Sequence, residues 1–228
     1  PHLHTHVHSF PTRRSSDLMK PGEKITVCSC GTDYFCEISS ITEDTVFLNI
    51  KEQKLCSAEP SVDLTLFQAI PKQDKLEHII QKSVELGVSK IVPVLTRRCV
   101  SRPDKKDFEK KLVRLNKIAL EAAKQSGRGI IPTVEPMISF DEAIIQMKEY
   151  DCPAMLYEEG GIRFSELNTQ EKKSFALFVG SEGGFDESEA EAAREAGIAS
   201  IWLGERILRC ETAPLTAISI LMFITKNL

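Results

Sequence analysis

Ser174 to Val179 is the stretch that most limits what this chain can fold into. Phe175, Ala176, Leu177, Phe178 and Val179 follow one another without a polar break, the composition of a strand covered on both faces, as in the parallel sheet of an α/β protein. Gly180-Ser181-Glu182-Gly183-Gly184 comes directly after it. Glycine accepts positive φ and lets a ligand approach the backbone closely, so these residues suit a tight cradle at a strand's carboxyl end. Asp186 is a good N-cap with Glu189 as its capping-box partner, and the helix so opened runs through Ala190, Ala193 and Ala196 to a stop at Gly197. The pattern then repeats. Ile198 to Leu203 reads as a second buried strand, Gly204 ends it, and Thr212 with Pro214 in the first turn opens the last helix. Ligands of open parallel sheets sit outside the carboxyl ends of the strands, so both loops are expected to face one pocket.

Charge narrows what such a pocket would hold. A phosphate cradle normally adds Lys and Ser or Thr, whereas this loop carries Glu182 and is followed by Asp186 and Glu187. Pyrophosphate is poorly matched. A ligand with amine, ribose hydroxyl or sulfonium groups is better matched, which points to S-adenosyl-L-methionine. A dinucleotide site would need GxGxxG with an acidic residue about twenty positions on, a spacing absent here. Glycine-rich turns after strands are also common plain connectors.

Lys24 to Ile70 shows short alternating apolar runs, Ile25/Val27, Phe35 to Ile38, Val46/Leu48/Ile50 and Leu64/Leu66, broken by Gly31-Thr32-Asp33 and Thr42-Glu43-Asp44. This predicts a small β-domain over residues 19–70. From Pro71 helix and strand alternate, so a boundary is expected near Ile70-Pro71-Lys72, with an α/β domain over 71–228. Asp74 caps a helix with Leu76, Ile79, Ile80 and Val84 inward and Gly87 at its close. Lys90 to Leu95 is a strand, Ser139 with Glu142 caps another helix, and Pro153 to Tyr157 is a strand. Residues 1–18 differ from the rest. His2, His4, His6 and His8 alternate and the following residues have no apolar period, which reads as a foreign or misassembled stretch. A β-domain lacking part of its edge would be weakened.

The net charge is −4, unevenly divided. From Lys72 to Arg128 there are 15 Lys and Arg against 7 Asp and Glu, which is +8 and leaves −12 for the remainder. One basic zone on an acidic chain could steer a polyanion to a single face. A solvated helix would account for much of it equally well, since Lys105, Lys106, Lys110, Lys111, Arg114 and Lys117 flank an apolar stripe of Phe108, Leu112, Leu115 and Ala119. The seven cysteines form no CxxC pair, so reduced thiols are expected and no metal site. No apolar run is long enough to cross a bilayer and no signal-peptide pattern opens the chain, so a soluble cytoplasmic protein is expected. The final helix is apolar on nearly every side from Ala213 to Ile224, and a sheet covers one side of a helix only, which implies a partner subunit.

GSEGGF and LGERILRCETAPLTAISIL, together with KLEHIIQKSVELGVSKIVPVLTRRCVS and KIALEAAKQSGRGIIPTV in that order, resemble the motifs of the SPOUT superfamily of knotted methyltransferases, and within it the RsmE family. The resemblance extends from about Met19 to the end. Ser181 stands where that family often has Pro, which would loosen the turn, Cys210 where it often has Thr and Pro214 where it often has Ala. The resemblance implies a SPOUT-type parallel sheet with a C-terminal trefoil knot, preceded by a small PUA-like β-barrel that binds RNA, and a homodimer with its active site at the subunit interface. It implies methylation of N3 of a uridine in 16S ribosomal RNA of the small subunit, with S-adenosyl-L-methionine as donor; a SPOUT enzyme acting on another target such as a ribose 2′-oxygen, or a non-catalytic RNA-binding module, is the alternative.

N3 lies on the Watson–Crick edge, so the base must be presented unpaired. Loss of its proton leaves an anion to be stabilised. Arg206 and Arg209 are the expected cations, with Glu211 as a base or an orienter of those arginines; an Arg209–Glu211 structural pair is the competing expectation. The expected cofactor contacts are Gly180, Glu182, Gly183, Gly184, Leu203, Gly204, Ile207, Leu208 and Thr212, completed by Tyr157 and Glu158. The expected RNA contacts are Lys75, Lys82, Arg97, Arg98, Gln125 and Arg128.

Overall fold

The computed structural model describes residues 19–228, so the expectations for the histidine-bearing segment lie outside the described residues. The described residues divide into two compact units, one formed by residues 19–59 together with Ala123–Ile131, the other by Pro60–Ala122 and Pro132–Leu228.

In the first unit β1 (Lys24–Ser29), β2 (Thr32–Ile41) and β3 (Val46–Leu55) make an antiparallel sheet in chain order. Ser29 pairs with Thr32 across a two-residue loop, Cys30-Gly31, in which both φ angles are positive, 49° and 73°. That is the turn whose twist matches a hairpin, and it sets the register that turns Val27, Cys36 and Ile38 inward.

The larger unit is built on a parallel sheet in the order β10-β8-β9-β4-β5, with two short strands beside β5. Its elements are β4 (Asp63–Ala69), α1 (Lys75–Glu85), β5 (Lys90–Leu95), α2 (Lys105–Ser126), β6 (Thr133–Val134), β7 (Ile138–Ser139), α3 (Phe140–Met147), β8 (Cys152–Leu156), β9 (Ser174–Val179), α4 (Glu187–Glu195), β10 (Ala199–Ile201) and α5 (Thr212–Ile224). Every pairing in it is parallel. β4 lies between β9 and β5, with Leu64, Leu66, Phe67 and Ala69 fully buried. The Leu64/Leu66 run assigned by alternation to the β-domain is thus a central strand of the other sheet, and the units part at Glu59/Pro60 rather than at Ile70-Pro71. Alternation could not reveal this, because a strand this short reads alike in both settings.

Phe178 on β9 centres the core. It packs edge-on against Phe185 at 4.8 Å and stacks on Phe140 at 5.8 Å, and its ring lies 6.2 Å from Phe67. The capping boxes expected at Ser139/Glu142 and Asp186/Glu189 are both formed, whereas Asp74 precedes α1 without a side-chain cap bond. α5 is buried along Pro214, Ala217, Ile218, Leu221 and Met222 against the sheet and α1, but not all round: Phe223 is 71% exposed. No helix among the described residues is long and apolar enough to cross a membrane.

Candidate active site

Chain order and sheet order disagree around β8. The chain enters β9 from β8 on one side, then crosses back over β8 by way of α4 to reach β10 on the other. Loops leaving neighbouring strands in opposite directions open a crevice at their carboxyl ends, the usual ligand position in such sheets. A cleft of about 680 Å³ lies there, lined by the residues that follow β8, β9 and β10, a size within the ordinary range for small-molecule sites.

The loop after β9 is held from beneath and behind. Gly184 N–H donates to the Ser181 carbonyl at 3.0 Å, closing a turn in which Gly184 has φ +64°. A β-carbon at Gly184 would strike the Glu158 carboxylate, and one at Gly183 would come within 3.0 Å of the Arg98 backbone oxygen, so the glycines permit the close approach expected of them. Ser181 does not loosen the turn: it is buried and its hydroxyl donates to the Arg98 carbonyl at 3.4 Å. Gln68, at the end of β4, donates from Nε2 to the Gly180 carbonyl at 3.3 Å and leaves its own Oε1 buried without a partner.

Lys75, from the first turn of α1, joins the two loops. Its Nζ lies 3.1 Å from Glu182 Oε1 and 3.1 Å from Glu211 Oε2, and it donates to Cys210 Sγ at 3.7 Å. The Glu211 hydrogen bond, then that of Glu182, raises the Lys75 ammonium's pKa well above the ordinary lysine value. Glu211 is held below the usual carboxylate range first by the Cys210 thiol, which donates to it at 3.2 Å, and then by Lys75. Burial pushes Glu182 up, but backbone N–H groups, including that of Lys72 at 3.1 Å, and Lys75 outweigh it and the net shift is downward. Burial and the bond to Glu211 push the Cys210 thiol up to about 12. The network places two ionised carboxylates on one ammonium and keeps the thiol protonated.

Of the expected cofactor residues, Tyr157, Glu158, Gly180, Glu182, Gly184, Leu203, Gly204, Ile207 and Leu208 line the cleft. Gly183 lies against Arg98, and Thr212, exposed at the start of α5, does not line it. Arg206 and Arg209 both line the cleft and are exposed, and among the described residues neither side chain has an ion-pair partner. Glu211 does not line it. Its ion-pair partner is Lys75, and among the described residues the alternative pairing with Arg209 is not formed. Sequence reasoning missed Lys75 as a member of this network, Gln68 as the support beneath Gly180 and Trp202 as part of the cleft wall. Gln68 carried a signal, an amide inside an otherwise apolar run.

The expected RNA contacts separate. Lys75 is engaged in the network just described. Lys82 Nζ is 2.8 Å from Glu85 one turn on. Arg97 and Arg98 are exposed on the loop after β5, pairing loosely with Asp186 at 3.6 and 3.8 Å; the Arg97 backbone N–H donates to Glu189 at 2.8 Å. Gln125 is exposed. Arg128 is 3% exposed, its guanidinium 2.8 Å from Glu59. A buried, paired arginine cannot meet a phosphate, so Arg128 is structural.

Residues 58–222 match the RNA methyltransferase domain family. The chain is 36% identical over 218 residues to ribosomal RNA small subunit methyltransferase E of Bacillus subtilis, covering 92% of this chain and 85% of that protein. The crystal structure of a ribosomal RNA small subunit methyltransferase E from Neisseria gonorrhoeae bound to S-adenosyl methionine superposes with a TM-score of 0.81 at 31% identity, over 90% of this chain and 85% of that one. A methyltransferase from Legionella pneumophila in complex with the same cofactor gives 0.79 at 30% identity, with coverages of 90% and 85%.

Proposed function

The chain belongs to the RNA methyltransferase domain family and, within it, to the ribosomal RNA small subunit methyltransferase E group, and from that premise we propose that it methylates N3 of a uridine in 16S ribosomal RNA, using S-adenosyl-L-methionine. The observation that carries this reading is the cleft at the carboxyl ends of β8, β9 and β10, walled by the two sequence motifs and lined by Arg206 and Arg209, which have no ion-pair partner among the described residues.

The residues fit that cofactor. Gly180, Gly184 and Gly204 line the cleft and let a ligand approach the backbone closely. Glu158, Glu159 and Glu205 give the cleft an acidic lining that favours an ammonium, a sulfonium and ribose hydroxyls over a phosphate. When bound, the cofactor supplies the methyl group. The chain's own work is to hold the acceptor base in line with it and to stabilise the uracil anion that loss of the N3 proton leaves, a task for Arg206 and Arg209. The lowered Glu211, tied to Lys75, acts through the loop it positions rather than as a base. Arg97, Arg98 and Lys82 of the larger unit, and Gln125 of the smaller, are the RNA-facing groups of this reading.

The trefoil knot, the PUA-like barrel, the homodimer and the cytoplasmic location of a ribosomal RNA enzyme belong to the same proposal. In support, α5 follows the Leu203–Glu211 loop from the edge strand and packs back on α1 and β9, and its outward Phe223 is a large apolar side chain left in solvent.

The test is incubation of the protein with labelled S-adenosyl-L-methionine and unmodified small ribosomal subunits, followed by mass-spectrometric mapping of the nucleosides. N3-methyluridine at a single position is the expected product. Label on a ribose 2′-oxygen, or none on RNA while the cofactor binds, would overturn it.

A further inference from the structure

The first unit brings together three groups that sequence spacing leaves apart. Cys28 is the penultimate residue of β1, Asp33 stands directly opposite it on β2, and Cys56 follows β3. Their Sγ and carboxylate oxygen atoms all lie within 4.8 Å of one another. The backbone fixes this grouping: Cys56 N–H donates to the Gly31 carbonyl at 2.8 Å, and Gly31 N–H donates to the Gly129 carbonyl at 3.1 Å. Gly129 lies directly over the sulfurs. A β-carbon there would stand 2.8 Å from both Cys28 Sγ and Cys56 Cβ, so only glycine lets the chain cover the cluster this closely.

The cluster has no cation of its own. Lys54, paired with Asp33 across β2 and β3, turns instead onto the Phe35 ring at 4.7 Å, and among the described residues no lysine, arginine or histidine pairs with Asp33. The sulfurs are meanwhile committed only weakly, Cys28 Sγ donating to the Thr32 carbonyl at 3.3 Å and Cys56 Sγ to that of Gly127 at 3.5 Å.

We propose that Cys28, Cys56 and Asp33 form a binding site for a thiophilic divalent cation of the zinc class, clipping the hairpin to the end of β3 beneath Gly129. Two sulfurs at about 2.3 Å and a carboxylate oxygen at about 2.0–2.2 Å from one ion fall about 3.5–3.8 Å apart when tetrahedral, which small side-chain rotations reach from the observed spacing. Soft thiolates select zinc or cadmium over magnesium or calcium. On binding, each thiol releases its proton to solvent and forms a metal–sulfur bond. The ion's two positive charges then face two thiolates and one carboxylate, with water in the fourth position.

The experiment is titration of the reduced, chelator-treated full chain with Cd²⁺, following the ultraviolet charge-transfer band that cadmium–thiolate bonds give and imidazole does not. Saturation at one equivalent is expected, with the band lost in Cys28→Ser and in Cys56→Ser, unchanged in Cys30→Ser and Cys99→Ser, and shifted to about tenfold weaker affinity in Asp33→Asn. X-ray absorption on the zinc-loaded wild-type chain reads the same site without any substitution and is expected to show two sulfur neighbours. A shell of nitrogen and oxygen alone, which the histidines near the amino terminus would give, or a band indifferent to Cys28→Ser, overturns the proposal.

Discussion

Lys75 and Glu211 stand 3.1 Å apart, the one at the start of α1 and the other at the entrance to α5. Because the same ammonium also meets Glu182 in the preceding loop, one side chain joins the two segments whose backbones wall the cleft. Removing it leaves two carboxylates facing each other with no cation between them.

Lys75→Met is therefore expected to weaken S-adenosyl-L-methionine binding by about tenfold while the fold persists, since the network is partly solvated. Glu211→Gln added to that variant should cost little more, because the two residues act as a unit. Calorimetric titration of the single and double variants checks both; additive losses would contradict the shared network.

The same network sets a pH window. Glu182 and Glu211 titrate below the ordinary carboxylate range, so their contribution is present above that range and is lost as pH falls through the lowered folded values. Lys75 titrates above the ordinary lysine value, so its contribution is complete below that value and is lost only as pH rises through the raised folded one. Cofactor affinity is expected to be flat between these limits and to fall on the acid side. Within the plateau Cys210, with its thiol pushed up to about 12, should resist iodoacetamide at pH 8, as mass spectrometry of the intact chain would register.

Arg209 and Arg206 line the cleft, and among the described residues neither has a carboxylate partner. Arg209→Ala is expected to lower kcat by about 10²–10³ with cofactor affinity unchanged, the pattern of lost transition-state charge stabilisation. Single-turnover methylation beside a binding titration separates the two. A fall in affinity alone would make Arg209 a binding residue.

Arg128→Met should leave RNA affinity untouched but destabilise the first unit by about 3–5 kcal/mol, because it strands the largely buried Glu59 carboxylate. Denaturant unfolding measures this. The paired change to Arg128→Met with Glu59→Leu is expected to recover much of the loss.

Phe223 projects from the open side of α5. Phe223→Asp is expected to convert the proposed dimer to a monomer in sedimentation, and to reduce methyl transfer if the partner completes the site.

The strand at Ser174–Val179, the glycine loop after it, both capping boxes and the site of the last helix were legible from residue order, because each depends on neighbours within a few positions. Local pattern equally showed Leu64 and Leu66 to be strand residues, but not which sheet would take them. It marked Lys75, Arg128 and Arg209 alike as cations in or near basic motifs. The fold gave them three fates: one joined to two loop carboxylates, one buried against Glu59, one exposed at the cleft.

Residue order alone determined the secondary elements and the two motifs, since burial periodicity and capping are short-range. Tertiary structure alone decided which charges are satisfied and which are available for chemistry. A charge's partner is set by where the chain returns in space, as Lys75 meets Glu211 and Cys28 meets Cys56 only once the sheets are assembled.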